Sequence, residues 1–359
     1  CVNPSLSTMY AEVIAIGDEL TSGQRLDTNS PWLAQRLAEL GIRVLFHTTV
    51  GDDLAANVRV FRQAVERVDI VVATGGLGPT ADDLTREAVA QVLGKPLVLE
   101  QASLAQIQAL FARRKREMPE RNVVQAMFPE GSSPIANPHG TAPGIDVRIV
   151  SAGRTCRLFA LPGVPAEMRE MWQESVAPRL AALPERGARV IRYKSIRCFG
   201  VGESDLERML PDLIRRGRVP TVGITASQTT LTLRITAEGE SAEDCDRLMA
   251  PTVATIQACL GNLIFGADEE ELQHAVVRLL RGRSQSVATV EIGSGGTMAS
   301  WLSEVDDERR AFAGGLVLRE DAERRVLLDA APATAASKDL SGAAAWSRTK
   351  PRKSRAVWQ

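Results

Sequence analysis

Several features that would mark particular functions are scarce in this chain. Aromatic residues make up only 4% of its 359 residues, too few for the stacking platforms that grip single-stranded bases. Lys+Arg number 43 and Asp+Glu 44, for a formal net charge of −1. Such a chain has no overall field to gather nucleic acid or an anionic membrane, so neither is expected as a partner. The three histidines, His47, His139 and His274, lie far apart and form no His-rich metal motif. Cys1, Cys156, Cys198, Cys245 and Cys259 make no CxxC pair and are widely spaced. That argues against a disulfide framework or zinc ribbon and for a reducing, cytoplasmic setting. No apolar run approaches the ~20 residues of a membrane span. The opening CVNPSLSTMY has neither the charged nor the apolar region of a signal peptide, and residues 1–9 read as a leader ahead of Met9.

What is present is ordinary globular material. Hydrophobic residues make up 44%, and at ~150 residues per domain the length suggests two or three domains. Residues 10–175 alternate strand-like and helix-like stretches. Residues 11–16, 42–46, 69–73 and 157–160 read as strands. Ser30-Pro31 opens a helix with the stripe Trp32, Leu33, Leu37 and Leu40, stopped at Gly41. Residues 53–68 and 80–93 read as further helices, the second ending at Gly94 and opening on Thr80. This rhythm predicts an α/β fold, a mostly parallel sheet with helices on both faces. Residues 176–262 predict a small β-α-β-β-α module: strand 189–199, helix 203–216, strands 221–226 and 231–236, helix 241–260 opening on the capping sequence SAED. Residues 263–330 hold a helix at 269–281, a strand at 286–290 and the turn IGSGG. From 331 the chain is Ala/Ser-rich and then basic, which reads as a disordered, solvated tail.

The richest stretch is DIVVATGGLGPTADDLT, residues 69–85. A buried strand runs into glycines, which let backbone approach a ligand. A helix follows, whose N-terminus suits phosphate. In an open α/β sheet this carboxyl edge is where ligands bind. Asp82 and Asp83 could simply complement the helix dipole, but two carboxylates beside a phosphate site would repel the ligand. A bridging divalent cation removes that conflict. Three more loops fall at strand ends: Gly17-Asp18-Glu19-Leu20, the Pro/Gly-rich 137–144 (NPHGTAPG) and 161–167 (LPGVPAE). In Gly51-Asp52-Asp53, Asp52 reads first as an N-cap.

The series AIGDEL, DTN, GGLGPTADDLT, NPHGTAPG and LPGVPAEM resembles the N-terminal domain of the CinA family, itself similar to the molybdopterin-binding fold of the MoaB and MogA proteins. IRCFGVGESDLE with LTLRITAEGE resembles the family's KH-type middle module. The likeness covers roughly residues 10–265. Asp18 stands where threonine is common in CinA proteins, GDEL being closer to the MoeA branch of the same fold. The resemblance implies a three-layer α/β MoaB/MogA-like domain at 10–175 and a KH-type module at 176–262. It also implies an ADP-ribose pyrophosphatase needing a divalent metal (Mg, Co or Mn) and releasing AMP and ribose 5-phosphate. Gly75, Gly76, Gly78 and Thr80 would cradle a phosphate. Asp83, with Asp82, Glu19 or Asp52, would hold the metal and carry catalysis. Asn29, Gly140, Thr141 and Glu167 would line the ribose or terminal phosphate. A homodimer is expected.

Full-length CinA proteins often end in an amidase domain acting on nicotinamide mononucleotide, with a nucleophilic serine in Glu-Ser-x-Thr-Gly-Gly. Residues 291–296 read Glu-Ile-Gly-Ser-Gly-Gly, so Ile292 stands in the nucleophile's place and cannot attack carbon. Ser294 reads as a turn residue. Residues 263–330 are therefore expected to be a truncated, degenerate amidase-like region without deamidase activity. The KH-type module has no GxxG loop for an RNA backbone, and an interaction role is expected. Two other functions stay open: a molybdopterin-binding or adenylylating protein of molybdenum-cofactor biosynthesis, and a non-enzymatic competence or damage-response accessory protein.

Overall fold

A computed structural model describes residues 9–318 apart from 152, 184–188, 211, 216, 228, 229, 307 and 309. Leader residues 1–8 and the tail 331–359 lie outside the described residues. The contacts divide the chain into two compact units. One is Cys1–Ser195 with Gly200–Leu263; the other is Ile196–Phe199 with Ile264–Gln359.

In the first unit the elements run β1 (Tyr10–Ile16), α1 (Asn29–Glu39), β2 (Arg43–Val50), α2 (Leu54–Arg67), β3 (Ile70–Thr74), α3 (Thr85–Leu93), α4 (Gln101–Arg113), β4 (Ser133–Ile135), β5 (Gly144–Ser151), β6 (Arg154–Leu161) and α5 (Pro165–Met171). Six strands form one sheet in the order β2-β1-β3-β6-β5-β4. The β1–β2, β1–β3 and β3–β6 pairs are parallel, whereas β5 pairs antiparallel with both β6 and β4. The expected strands are therefore present, and an antiparallel edge is added to them.

Alternation along the central strands builds two cores. Ile14, Ile16, Val71, Ala73, Leu158 and Ala160 face Val58, Phe61 and Val65 of α2 and Ala88 and Val89 of α3. Ala11, Val13, Ile70, Val72, Phe159 and Leu161 face Leu33 and Leu37 of α1 and Met168 and Met171 of α5. The period of two in the strands and the 3–4 spacing in the helices thus make three layers. Each fully buried Phe or Ile contributes roughly 1.5–3 kcal/mol. Two buried carboxylates are paired with arginines. Glu12 accepts from Arg67 at 2.8 and 2.6 Å and from the Thr48 hydroxyl at 2.6 Å. Burial pushes the Asp146 pKa up, but Arg157 and Arg179 more than offset this and hold it low.

Two helix starts differ from expectation. At α1, Asp27 supplies the cap, accepting from the Asn29 and Ser30 amides at 3.0 and 2.9 Å. The helix after the glycines begins at Thr85, not at Thr80, because the Asp83 carboxylate holds residues 78–83 as a loop.

The rest of this unit holds β7 (Val190–Phe199, to Ser195), α6 (Glu203–Met209), β8 (Thr221–Ser227), β9 (Thr230–Gly239) and α7 (Ala242–Leu260). The antiparallel β8–β9 pair carries Leu231, Leu233 and Ile235 inward. Ser241 caps α7 through the Asp244 amide at 3.2 Å. α6 is shorter than the expected 203–216, ending before the proline at 211, a residue type that disfavours helix just before it. In the second unit, Ile196–Phe199 pairs antiparallel with β10 (Ile264–Ala267). There follow α8 (Leu272–Gly282), β11 (Val287–Ile292), α9 (Thr297–Val305) and β12 (Phe312–Leu318), with β11 and β12 parallel. Among the described residues no helix is long and apolar enough to cross a membrane.

Candidate functional site

In the order β2-β1-β3-β6, the chain leaves β1 toward one neighbour and returns to the other, so the carboxyl ends of β1 and β3 flank a switch point where ligand crevices form. A cleft of about 480 Å³ opens there. Its floor is Ile16 and Gly17 after β1, Gly75 to Pro79 after β3, and Pro162 to Pro165 after β6; Asp52 after β2 and Thr141 complete the wall.

The glycine loop is shaped by its packing. Gly75 (φ +109°) and Gly76 (φ +64°) occupy the left-handed region, and a Cβ there would run into the Ile16 carbonyl or the Thr85 hydroxyl. Thr85, fully buried, donates to the Gly75 carbonyl at 2.8 Å, and its amide donates to the Gly76 carbonyl at 3.1 Å. Asp83 closes the loop. Its carboxylate accepts from the Gly78 amide at 2.7 Å, from the Thr80 amide at 2.9 Å and from the Thr80 hydroxyl. Beneath the loop lies Arg86, fully buried, donating to the Leu77 carbonyl at 2.8 Å and the Gly78 carbonyl at 3.4 Å. Desolvation lowers its pKa to about 10. Sequence reasoning did not single out Arg86; the signal was a lone cation inside the apolar stripe of α3.

Around this loop stand five carboxylates, those of Glu19, Asp52, Asp82, Asp83 and Glu167. Asp52 and Asp18 lock two loops together: each accepts the other's amide at 2.9 Å. Asp53, not Asp52, is the N-cap of α2, accepting from the Ala56 amide at 2.7 Å. Desolvation raises the Asp52 pKa, and repulsion from Asp18, Asp82 and Glu19 adds to it. Asp82 is held below the ordinary carboxylate range by hydrogen bonding to Thr80. Glu167 accepts from Asn137 Nδ2 at 2.7 Å, and Asn137 Oδ1 accepts from the Gly140 amide at 2.8 Å, which orders the loop 137–144 against α5.

Of the residues singled out from sequence, Glu19, Asp52, Gly75, Gly76, Gly78, Asp82, Asp83, Thr141 and Glu167 line the one cleft. Thr80 stands behind Asp83, Gly140 lies outside the lining, and Asn29 lines a small adjoining cleft of about 40 Å³. Among the described residues no three or more His, Cys, Asp or Glu side chains form a ready-made metal cage. The donor set still fits a hard divalent cation, which commonly takes one or two carboxylates, waters and substrate phosphate oxygens, because Glu19, Asp52, Asp82 and Asp83 line one cleft. Two of the cysteines are poor nucleophiles, burial pushing Cys156 up to about 12 and Cys198 to about 11.

Sheet, switch point and glycine-lined acidic cleft define an α/β protein with a ligand-sized cleft at the carboxyl edge of its parallel strands. Residues 12–182 match the family described as "Probable molybdopterin binding domain", and residues 193–266 match "Damage-inducible protein CinA KH domain". A "Putative competence-damage inducible protein" of Symbiobacterium thermophilum is 41% identical over 86% of this chain and 72% of its own length. Its counterpart in Oceanobacillus iheyensis is 37% identical over 90% and 76%. The chain belongs to the CinA family. Among solved structures, a CinA protein of Thermoplasma acidophilum is similar at 33% identity, covering 48% of this chain and 98% of its own, with a TM-score of 0.43.

Proposed function

We propose that the protein hydrolyses the diphosphate of ADP-ribose or a related nucleotide, with a divalent cation, to AMP and ribose 5-phosphate. The observation that carries this reading is the meeting, in one cleft, of a tightly packed glycine loop with carboxylates that follow β1, β2, β3 and β6. The Gly75 amide is taken by the Leu161 carbonyl and the Gly78 amide by Asp83, so the amides of Gly76 and Leu77 would bind phosphate oxygens while Asp83 keeps the loop in shape. Arg86 adds positive charge beneath it. Glu19, Asp52 and Asp82 would hold the cation, which when bound neutralises diphosphate charge and lowers the pKa of water. Thr141 and the loop ordered by Glu167 border the far end of the ligand, with Gly140 and Asn29 nearby. A water oxygen adds to one phosphorus, the bridging P–O bond breaks with its electron pair on the departing phosphate oxygen, and the water's proton ends on that departing phosphate.

The chain divides, on this reading, into a catalytic domain at 10–175, an interaction or dimerisation module at 176–262 and an amidase-like remnant at 263–330 without deamidase activity. A cytoplasmic location goes with it. The family description of residues 12–182 favours a second reading, pterin binding in the same cleft. Purified protein assayed for AMP release on a panel of nucleotide sugars, with and without chelator, separates the two. Chelator-sensitive AMP release supports hydrolysis; no AMP release together with molybdopterin binding supports the alternative. Ammonia release from nicotinamide mononucleotide would overturn the reading of residues 263–330.

A further inference from the structure

The carbonyls of residues 75–78 are all held from the start of α3. Thr85 is fully buried. Its hydroxyl donates to the Gly75 carbonyl at 2.8 Å and its amide to the Gly76 carbonyl at 3.1 Å. Arg86 donates to the Leu77 and Gly78 carbonyls at 2.8 and 3.4 Å, and Gln125 Nε2 joins it on the Leu77 carbonyl at 3.4 Å. In a trans peptide the C=O and the N–H that follows it point in opposite directions. Two carbonyls drawn to Thr85 therefore turn the amides of Gly76 and Leu77 away from it. The flanking amides are spent, Gly75 donating to the Leu161 carbonyl at 3.0 Å and Gly78 to Asp83 at 2.7 Å. The middle pair meets no acceptor among the described residues, and Gly76 and Leu77 both line the main cleft. Backbone N–H groups away from bulk water are rarely left without an acceptor, and successive amides turned to one side make an anion-binding concavity.

We infer that Thr85 is a positioning residue: by holding the Gly75 and Gly76 carbonyls it presents the Gly76 and Leu77 amides as a pair to the oxygens of one phosphoryl group. The inference rests on the diphosphate reading of the main cleft and adds the residue that aims the loop's donors. Thr85 itself touches no ligand. Its hydroxyl lies behind the loop, on the side where a Cβ built on Gly76 would come within 2.3 Å of it. Without that hydroxyl the Gly75 carbonyl loses its donor. The peptide between Gly75 and Gly76, with glycine on both sides, is then free to rotate and swing the Gly76 amide out of line.

The test is calorimetric binding of inorganic pyrophosphate, with magnesium, to the full chain and to its Thr85→Ser and Thr85→Val variants. Amide NMR of the unaltered protein follows the same titration. Serine keeps the hydroxyl; valine keeps the shape and loses it. Thr85→Val should bind pyrophosphate at least about tenfold more weakly, as loss of one preorganised donor does, and Thr85→Ser should bind as tightly as the unaltered protein. The Gly76 and Leu77 amide protons should move downfield on binding, while those of Gly75 and Gly78, already donating within the chain, move far less. A merely structural hydroxyl would lower the melting temperature of Thr85→Val and leave its pyrophosphate affinity alone. Full affinity in Thr85→Val, an affinity in Thr85→Ser as weak as in Thr85→Val, or pyrophosphate bound with the Gly76 and Leu77 amides unmoved overturns the inference and leaves the diphosphate reading standing. If Thr85→Val does not fold, the serine variant and the amide shifts decide the matter. Failure of pyrophosphate to bind the unaltered protein overturns both.

Discussion

Two of the strand–glycine–helix turns, one in each unit, treat negative charge in opposite ways. After β3, Gly75 and Gly76 are packed against Ile16 and Thr85, and burial, with repulsion from the neighbouring carboxylates, lifts Asp52 above its ordinary pKa. After β11, Gly293 and Gly295 have left-handed φ values but open space where a Cβ would go. There the chain supplies its own anion. Glu291 accepts from the Met298 and Ala299 amides at 3.0 and 2.7 Å, filling the N-terminus of α9. It also accepts from Ser294 Oγ at 2.6 Å, the first cause of its lowered pKa. The same backbone pattern therefore makes a receptive cleft where charge is left unbalanced and a closed structural turn where it is already satisfied.

The sharpest way to break this contrast is Asp83→Asn. An amide cannot accept with both atoms, so the Gly78 or Thr80 N–H loses its partner and the loop its shape. AMP release should fall on the order of 100-fold, and undiminished turnover would contradict the role given to the loop. Next come paired glycine substitutions followed by chemical denaturation. Gly76→Ala should cost about 2–3 kcal/mol, from strain plus a steric clash, whereas Gly295→Ala should cost about 1 kcal/mol, from its φ of +66° alone. Equal costs would erase the packing difference.

Smaller in size but opposite in sign are the pH effects. Asp52 is charged above its raised folded pKa and protonated below it, so the cost of its burial and of repulsion from its neighbours is felt at neutral pH and fades as pH falls. Asp52→Asn, which keeps an acceptor for the Asp18 amide, should stabilise the free protein at pH 7 by about 0.5 kcal/mol after solvent screening. That gain should vanish below the carboxylate range. Glu291 has a lowered folded pKa, so its stabilisation is present above the ordinary carboxylate pKa and lost as pH falls through the folded value. Glu291→Gln should lower the melting temperature of the second unit at pH 7 and converge with the unaltered protein in acid. Ser294→Ala should have the least effect, a slight loss of stability there with AMP release unchanged; a marked loss of AMP release would dissolve the distinction between the turns.

The layered fold was legible because its signals are local. Apolar runs such as IVVAT, the stripe Leu33-Leu37 and the stops at Gly41 and Gly94 each follow from short-range geometry. The gathering of Glu19, Asp52, Asp82, Asp83 and Glu167 was legible because all follow strand ends of one sheet. What escaped depended on long-range partners. Whether Asp52 or Asp53 caps α2 turns on Asp18, 34 residues earlier. The start of α3 shifts to Thr85 because Asp83 folds back onto Gly78. Arg86 lies in the apolar stripe of α3, but what keeps a cation there, the Leu77 and Gly78 carbonyls of the loop, is not visible in a one-dimensional pattern.

The central claim, that unbalanced carboxylates recruit a cation to bind a diphosphate, is tested most directly by calorimetric titration of ADP-ribose at increasing magnesium. The protein and the Asp52→Asn and Asp82→Asn variants would be compared. The account predicts affinity that rises with magnesium, collapses with chelator and loses much of that dependence in both variants. Equal affinity with and without the metal, in all three proteins, would contradict it.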